Sequence, residues 1–395
     1  MKKSIINEGV LRMRFEDING RFRKRELTTE EAAELLGISL STFYRKRERY
    51  EEMGVLNFDK RLGKVSPHRA ADRQVEAITK LYRERYRDFS VKHFHEFAQR
   101  EHGLKYGYTW TKTQLERAGL VRKSKRGGDH RLRRERRPMT GMMLHQDGST
   151  HAWIPALEHN VDLIVSMDDG DSEVTSGFFV EQEGTWSSFQ GIKETIETRG
   201  LFCSLYTDRG THYWTTPEAG GKVDKHSLTQ VGRALKQLGI RQLPAYSPQA
   251  RGRSERMFGT LQKRIPQEMA LAGITTIEEG NRYLKEVYWP RHNAQFVVKP
   301  KEAQSAYTPW VGVDLDEILC LQEERTVQND NTVSFENIRL QIPKDDLRHH
   351  YVRTTVEVRQ YADMSLGLFF GNRCLGRYDP LGNLKHTQPE VQKAA

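Results

Sequence analysis

Residues 141–149 read GMMLHQDGS, 161–169 read VDLIVSMDD and 173–181 read EVTSGFFVE. Each run is rich in aliphatic, aromatic or β-branched residues and is bounded by Gly, Asp or Ser, the pattern of strands joined by turns. The second is apolar enough to be central. A helix is expected from about Thr185 to Thr198, stopped by Gly200. LFCSLYTDRG (201–210) is a fourth strand, and HSLTQVGRALKQLG (226–239) a helix stopped by Gly239. IRQLPAYSP (240–248) is a fifth strand, and QARGRSERMFGTLQKR (249–264) a helix broken near Pro266. The order β-β-β-α-β-α-β-α describes a hairpin-led sheet with helices packed on it.

Three acids sit where this scaffold brings distant residues together: Asp147 at the end of the first strand, Asp208 at the end of the fourth, and Glu255 on the helix after the fifth. Asp is short and holds an oxygen rigidly at a strand end; Glu, one methylene longer, reaches in from a helix. Three adjacent carboxylates raise one another's pKa and are costly without a cation. With a hard cation such as Mg²⁺ they are a binding site. The three cysteines, Cys203, Cys320 and Cys374, are too scattered for a disulfide framework or a zinc module, which fits an oxygen-ligand metal. His145 shares a strand face with Asp147 and reads as near the site or simply packed. Asp168, Asp169 and Asp171 read as turn chemistry. Arg209 and His212 follow Asp208 and are candidates for phosphate contact. Arg251, Arg253, Arg256 and Lys263 flank Glu255 and are expected to touch DNA.

The element order is that of the ribonuclease H-like fold. The text around the acids resembles the DDE transposase and retroviral-integrase catalytic core, in particular insertion-sequence transposases of the ISNCY type. The matching pieces are LHQDGSTHAW, VDLIVSMDDGDSEVTSGFFVEQEGT, SLYTDRGTHYW, TPEAGGKVDK, TQVGRALKQLGI, PAYSPQARGRSERMFGTLQ and LAGITTIEEGNRYL. The resemblance covers about 139–310 closely. It implies that Asp147, Asp208 and Glu255 are the catalytic acids and metal ligands, holding two Mg²⁺ (or Mn²⁺) ions around a scissile phosphate. It also implies cleavage at a transposon end, then attack of the freed 3′-hydroxyl on target DNA. Forty-six residues separate Asp208 from Glu255, more than the roughly thirty-five of the integrase relatives; the Gly-rich YWTTPEAGGKVDK accounts for the excess as a surface insertion. WPRHNAQ (289–295) resembles a structural region that follows integrase cores.

Charge is unevenly divided. Residues 1–138 hold 35 Lys/Arg against 20 Asp/Glu, whereas 139–395 hold 28 against 33, so a polyanion-gripping front is fused to a different back half. Residues 28–54 read as a helix–turn–helix: Thr28 and Glu31 form a capping box, Ala32, Leu35 and Leu36 one apolar face, Gly37 the turn, and Ser39 the next cap, with Phe43 packing back on Leu35 and Leu36. The second helix carries Ser41, Thr42, Tyr44, Arg45, Lys46, Arg47 and Arg49; Ser41, Thr42, Tyr44, Arg45 and Arg49 are the expected DNA contacts. A second helical block, Asp72–Tyr86, a helix capped by Ser90, and one ended by Gly119, is expected to turn Thr109, Thr111, Lys112 and Gln114 outward, with Thr111 and Lys112 on DNA. RKSKRGGDHRLRRERRP (122–138) reads as a basic linker whose Arg131, Arg133 and Arg134 neutralise phosphates. Its His130 and Arg133 match a tyrosine-recombinase fragment, but no Tyr follows before Tyr206, and the match is coincidental.

Residues 311–324 look helical, and from about 325 the alternation at Ile338, Leu340 and Ile342 indicates a small antiparallel β-barrel. The expected organisation is multidomain: all-α helix–turn–helix domains at 1–60 and 61–121, a linker at 122–138, an α/β ribonuclease H-like core at 139–310, a helix and small β-barrel at 311–386, and a frayed tail at 387–395. No apolar run approaches a membrane span and the N-terminus has no signal-peptide core, so a cytoplasmic, nucleoid-associated protein is expected. The implied partners are transposon-end and target DNA and further copies of the chain, at least a dimer on paired ends. The competing functions are a catalytically silent DNA-binding regulator and a Mg²⁺-dependent nuclease without strand transfer.

Overall fold

The computed structural model describes residues 3–54, 70–122, 135–217, 221–246, 252–344 and 346–385. Arg131, Arg133, Arg134 and Arg251, and the tail beyond 386, lie outside these residues. The chain divides into two compact units, residues 1–81 and 82–395.

In the first unit, α1 (Lys3–Arg23), α2 (Thr29–Leu36) and α3 (Leu40–Met53) enclose Phe15, Ile18, Ala32, Ala33 and Phe43. The Thr28–Glu31 capping box is formed, and Gly37 takes the left-handed conformation (φ 64°) that closes α2. Ser39 caps α3. The inward face of α2 is one residue away from the expected one: Ala33 is buried and Leu35 is exposed. Helix α1, not anticipated from the sequence, decides this. Its Phe15 and Phe22 meet the Phe43 ring (6.2 and 5.4 Å), and only a small side chain such as Ala33 fits beneath. α4 (Asp72–Arg85) crosses the division between the units.

The second unit is built on a five-stranded sheet of order β3-β2-β1-β4-β5. β1 (Leu144–His151), β2 (Val161–Asp168) and β3 (Val174–Val180) form an antiparallel meander; β4 (Ser204–Thr207) and β5 (Arg241–Pro244) extend it in parallel. All of β2 is buried, as its apolar run requires. α7 (Thr185–Arg199) and α8 (Gln230–Gln237) cover one face with Phe189, Ile192, Ile196, Val231 and Leu235. The other face carries α9 (Gly252–Leu261), α10 (Ile265–Ala272), α11 (Ile277–Tyr283) and α12 (Trp289–Phe296), packed on Leu163, Val165 and Phe179. A π-helical turn, Leu284–Tyr288, joins α11 to α12. Pro290 has no N–H to donate back, so a regular helix cannot continue there. The outer edge of β3 is closed by side chains. Asn281 pairs with the backbone of Phe179, Asn293 with that of Val174, and the Trp289 indole donates to the Gly177 carbonyl. The WPRHNAQ segment is structural.

α5 (Val91–His102) and α6 (Tyr108–Arg117) belong to this unit and are not a separate body. His93 bonds Glu268 of α10 (2.9 Å), whose other oxygen takes Tyr283 and Arg291 (2.8 and 2.6 Å). Arg264 makes a two-pronged bond to Glu96.

Residues 311–324 are not helical. Asp314 caps a single 3₁₀ turn, Leu315–Glu317, whose Leu315, Ile318 and Leu319 enter the core beside α8. β6 (Leu321–Thr326) starts at once because it pairs with β9 (Thr355–Gln360). β10 (Leu366–Phe370) and β11 (Arg373–Tyr378) complete a sheet of order β11-β10-β9-β6. β7 (Thr332–Phe335) and β8 (Ile338–Gln341) form a separate hairpin on the left-handed pair Glu336–Asn337. In place of the expected closed barrel stand two antiparallel sheets over one core that includes Val333, Leu340, Val358 and Leu368. No helix among the described residues is long and apolar enough to cross a membrane, and the three cysteines are free thiols.

Candidate active site

Strand pairing brings together the segments that carry the first two acids. β1 runs parallel to β4 with Leu144 opposite Leu205 and His145 opposite Tyr206. Asp147 lies two residues beyond the second of these pairs on β1, and Asp208 two residues beyond it and one past the end of β4; both act on the buried Tyr213 hydroxyl. The His145 and Tyr206 rings stand 5.1 Å apart. Asp147 is mid-strand rather than terminal, because β1 continues to His151 on its pairing with β2 after β4 has ended at Thr207. It therefore lines the notch that opens where β4 stops. The loop after Asp208 is tied down on both sides. Asp208 accepts from the Gly210 N–H (2.8 Å), Trp214 donates to the Thr207 hydroxyl (3.0 Å), and Tyr213 donates to Gln146 (2.9 Å). Burial, with Glu183, Asp208 and Asp147 nearby, drives the Tyr213 pKa well above its ordinary value. Glu183 lies over Gly148, where a Cβ would meet its carboxylate, and faces His212 at 3.4 Å.

Glu255 is exposed on the first turn of α9, a helix that packs inward through Ser254, Phe258 and Leu261. Gln262, two helical turns on and so on the same side as Glu255, reaches the hydroxyl of Ser149, two residues along β1 from Asp147 (3.4 Å). Glu255 thus faces the side of the notch but does not close it: among the described residues no three His, Cys, Asp or Glu side chains stand close enough to hold one metal ion. Carboxylates such as those of Asp147 and Asp208 have the oxygen chemistry a divalent cation takes; a third drawn in without one would be repelled.

The Asp168–Asp171 turn is fully engaged. Asp168 accepts from the Gly141 and Gly170 N–H groups and the Tyr307 hydroxyl, yet burial keeps its pKa raised. Burial would raise Asp169 too, but His145, the Arg137 N–H and Arg253 hold it well below the usual carboxylate range. Arg253 is therefore committed to Asp169 and is not presented to solvent as a DNA contact. This ion pair pins the first turn of α9, two residues from Glu255, to the turn after β2, whose Asp169 also bonds His145 of β1. The sequence carried no local signal for it, since the partners are 84 residues apart.

A protein of Sinorhizobium fredii named as transposase y4bF is 30% identical to the chain over 342 residues, spanning 85% of this chain and 74% of its own length. The chain belongs to the transposase family. A second relative, the transposase for insertion sequence IS1202 of Streptococcus pneumoniae, is 30% identical over 223 residues, 56% of this chain and 47% of its own length. No family model matches. Solved structures similar to this transposase include the HTLV-2 integrase catalytic core domain with magnesium, dimeric form (14% identity, 38% of this chain and 89% of that one, TM-score 0.28). Another is a simian T-cell lymphotropic virus intasome in complex with a PP2A regulatory subunit (12%, 78% and 98%, TM-score 0.34). Likenesses at this level add nothing to the sheet order.

The transposase presents most of the α3 residues expected on DNA. Ser41, Tyr44, Arg45 and Arg49 are exposed, Arg45 and Arg49 one turn apart, while the Thr42 hydroxyl meets the Ser39 cap (2.8 Å). Arg256 is exposed on α9, and Lys263 in the turn that follows it. α6 is different: Thr111 is fully buried, bonded to His95 (3.1 Å), and Gln114 is buried too. Their face packs against α5, so Thr111 cannot reach DNA. Lys112 is half-exposed and lies 3.9 Å from Glu116.

Proposed function

We propose that this transposase cuts and joins DNA at the notch of Asp147 and Asp208, with Glu255 as the third acid. The observation that supports the proposal is the parallel β1–β4 pairing at Leu144–Leu205 and His145–Tyr206, from which the chain runs on to Asp147 on one side and Asp208 on the other. Asp147 is held on β1, Asp208 follows the end of β4 with its carboxylate bonded to the Gly210 N–H, and Glu255 approaches from a helix pinned by Arg253 and Asp169. These three acids would hold Mg²⁺ or Mn²⁺, two ions in the implied arrangement, which when bound supply Lewis acidity at the scissile phosphate. Exposed Arg256 and Lys263 offer positive charge to the phosphates beside Glu255.

Recognition falls to α2–α3 as a helix–turn–helix, with Ser41, Tyr44 and Arg45 towards base edges and Arg49 on phosphate. The DNA is the transposon terminal repeat and then the target, and a dimer or larger assembly handles two ends together. The test is incubation of full-length protein with duplexes bearing the element's own ends and Mg²⁺, followed by mapping of nicks and joined products. Cleavage with joining supports strand transfer, cleavage alone marks a nuclease, and binding without cleavage marks a regulator.

A further inference from the structure

Between the Asp169–Ser172 turn, α9 and α12 lies a cleft of about 190 Å³ that shares Arg253 and Arg256, but none of the three acids, with the proposed active site. Arg136, Arg253 and Arg256 line it and no carboxylate does; the apolar part is Met167, Met257 and Phe296. We propose that this cleft receives one unstacked nucleotide of the bound DNA strand, its base on Met257 and Phe296 and its phosphate on Arg256.

Four observations lead there. First, two of the three guanidiniums are held by the turn: Arg253 by Asp169, and Arg136 by the Ser172 hydroxyl (2.7 Å) and the Asp169 carbonyl (3.2 Å). Neither can fold inward, so the cleft stays open. Second, an aromatic ring and soft thioethers beneath a positive rim suit a base with its phosphate, because every base has a π-face. Third, His292 lines the cleft, is buried, and has an Nδ1 with no hydrogen-bond partner. Burial pushes its pKa down to about 4, so the neutral ring can donate one hydrogen bond and accept another. Fourth, the residues 253, 256, 257 and 260 lie on one flank of α9, roughly 150° around the helix from Glu255, with exposed Arg256 between the two. The volume admits one base and not a pair, so the nucleotide must leave the stack.

The inference rests on the transposase reading for its DNA but not for its chemistry, and the test separates the two. Full-length protein is bound to element-end duplexes in Ca²⁺, with 2-aminopurine placed at each position around the cut in turn. One position is expected to brighten several-fold on binding. Met257→Trp, which fills the cleft, should abolish the rise, and exposed Arg256→Gln should reduce it without disturbing the fold. The proposal is overturned if the complex forms and no position brightens, or if brightening survives both variants. An abasic nucleotide that binds as tightly as the natural one would likewise overturn base recognition and leave only a phosphate site. Brightening without Mg²⁺-dependent cleavage leaves the cleft standing and removes the catalytic reading; no complex at all removes both.

Discussion

The helix pairs α2–α3 and α5–α6 carry nearly the same local signals and do opposite things. Both contain a Ser-capped helix and both close on left-handed glycines, Gly37 and Gly54 in one pair and Gly103 and Gly119 in the other. Yet α3 turns Tyr44, Arg45 and Arg49 outward, whereas α5 and α6 bury His93, His95, Thr111 and Gln114. Caps state where a helix begins and ends. They do not state which face is used up by neighbours, and for α5 the neighbour is a charged network on α10–α12. The first pair keeps the exposed basic face on which the proposed DNA reading rests; the second braces the unit that carries the five-stranded sheet.

The largest expected effect separates recognition from chemistry. Asp208→Asn should lower cleavage on the order of 10³-fold or more while leaving end binding by α3 intact. Cleavage near the wild-type rate would break the assignment. The brace comes next: Glu268→Ala strands His93 and Arg291 in a buried site and should cost about 3–5 kcal/mol of stability by urea unfolding. A loss below about 1 kcal/mol would show that α5 is not anchored as described.

The same region predicts a pH dependence that the first pair lacks. Burial lowers the His292 pKa to about 4 and also lowers that of His93, although its bond to Glu268 opposes the shift. His292 stays neutral in the folded protein down to about pH 4, so the unfolded chain takes up that proton first. The stability this ring contributes is complete above about pH 6.5 and falls as pH drops towards 4, by up to about 1.4 kcal/mol per pH unit, with His93 acting in the same direction. Urea midpoints at pH 7 and pH 5 measure this, and His292→Gln should flatten the slope.

Smaller effects sharpen the contrast between the pairs. Arg45→Ala and Arg49→Ala should each weaken end binding about tenfold, and Arg49→Ala should also reduce the salt slope. Thr111→Val should cost about 1 kcal/mol of stability through the lost His95 bond and leave DNA affinity unchanged. A Thr111→Val protein of normal stability and impaired binding would restore α6 as a reader.

Much of the fold was legible where the responsible contacts are local. The Thr28–Glu31 box, the Gly37 and Gly200 stops and the break before Pro266 all fall where the residues place them. Two failures have one cause. Leu35 and Ala33 exchange burial because α1 packs from outside the motif, and Leu321–Thr326 is a strand because β9, more than thirty residues on, supplies its partner. The acids divide in the same way. Asp147, Asp208 and Glu255 stood out from their motifs, but Asp169 looked like ordinary turn chemistry and Arg253 like a DNA contact until the fold joined them.

By itself the sequence determined the capped and glycine-closed helix ends and singled out three acids as candidates, because capping bonds and turn conformations span four residues or so and need no distant partner. Only the tertiary structure decided which faces are spent, that β1 lies parallel beside β4, and that α9 is pinned through Asp169. Those outcomes depend on strand register and on ion pairs between residues tens of positions apart, and a register shift of one residue would turn Asp147 to the opposite face of the sheet.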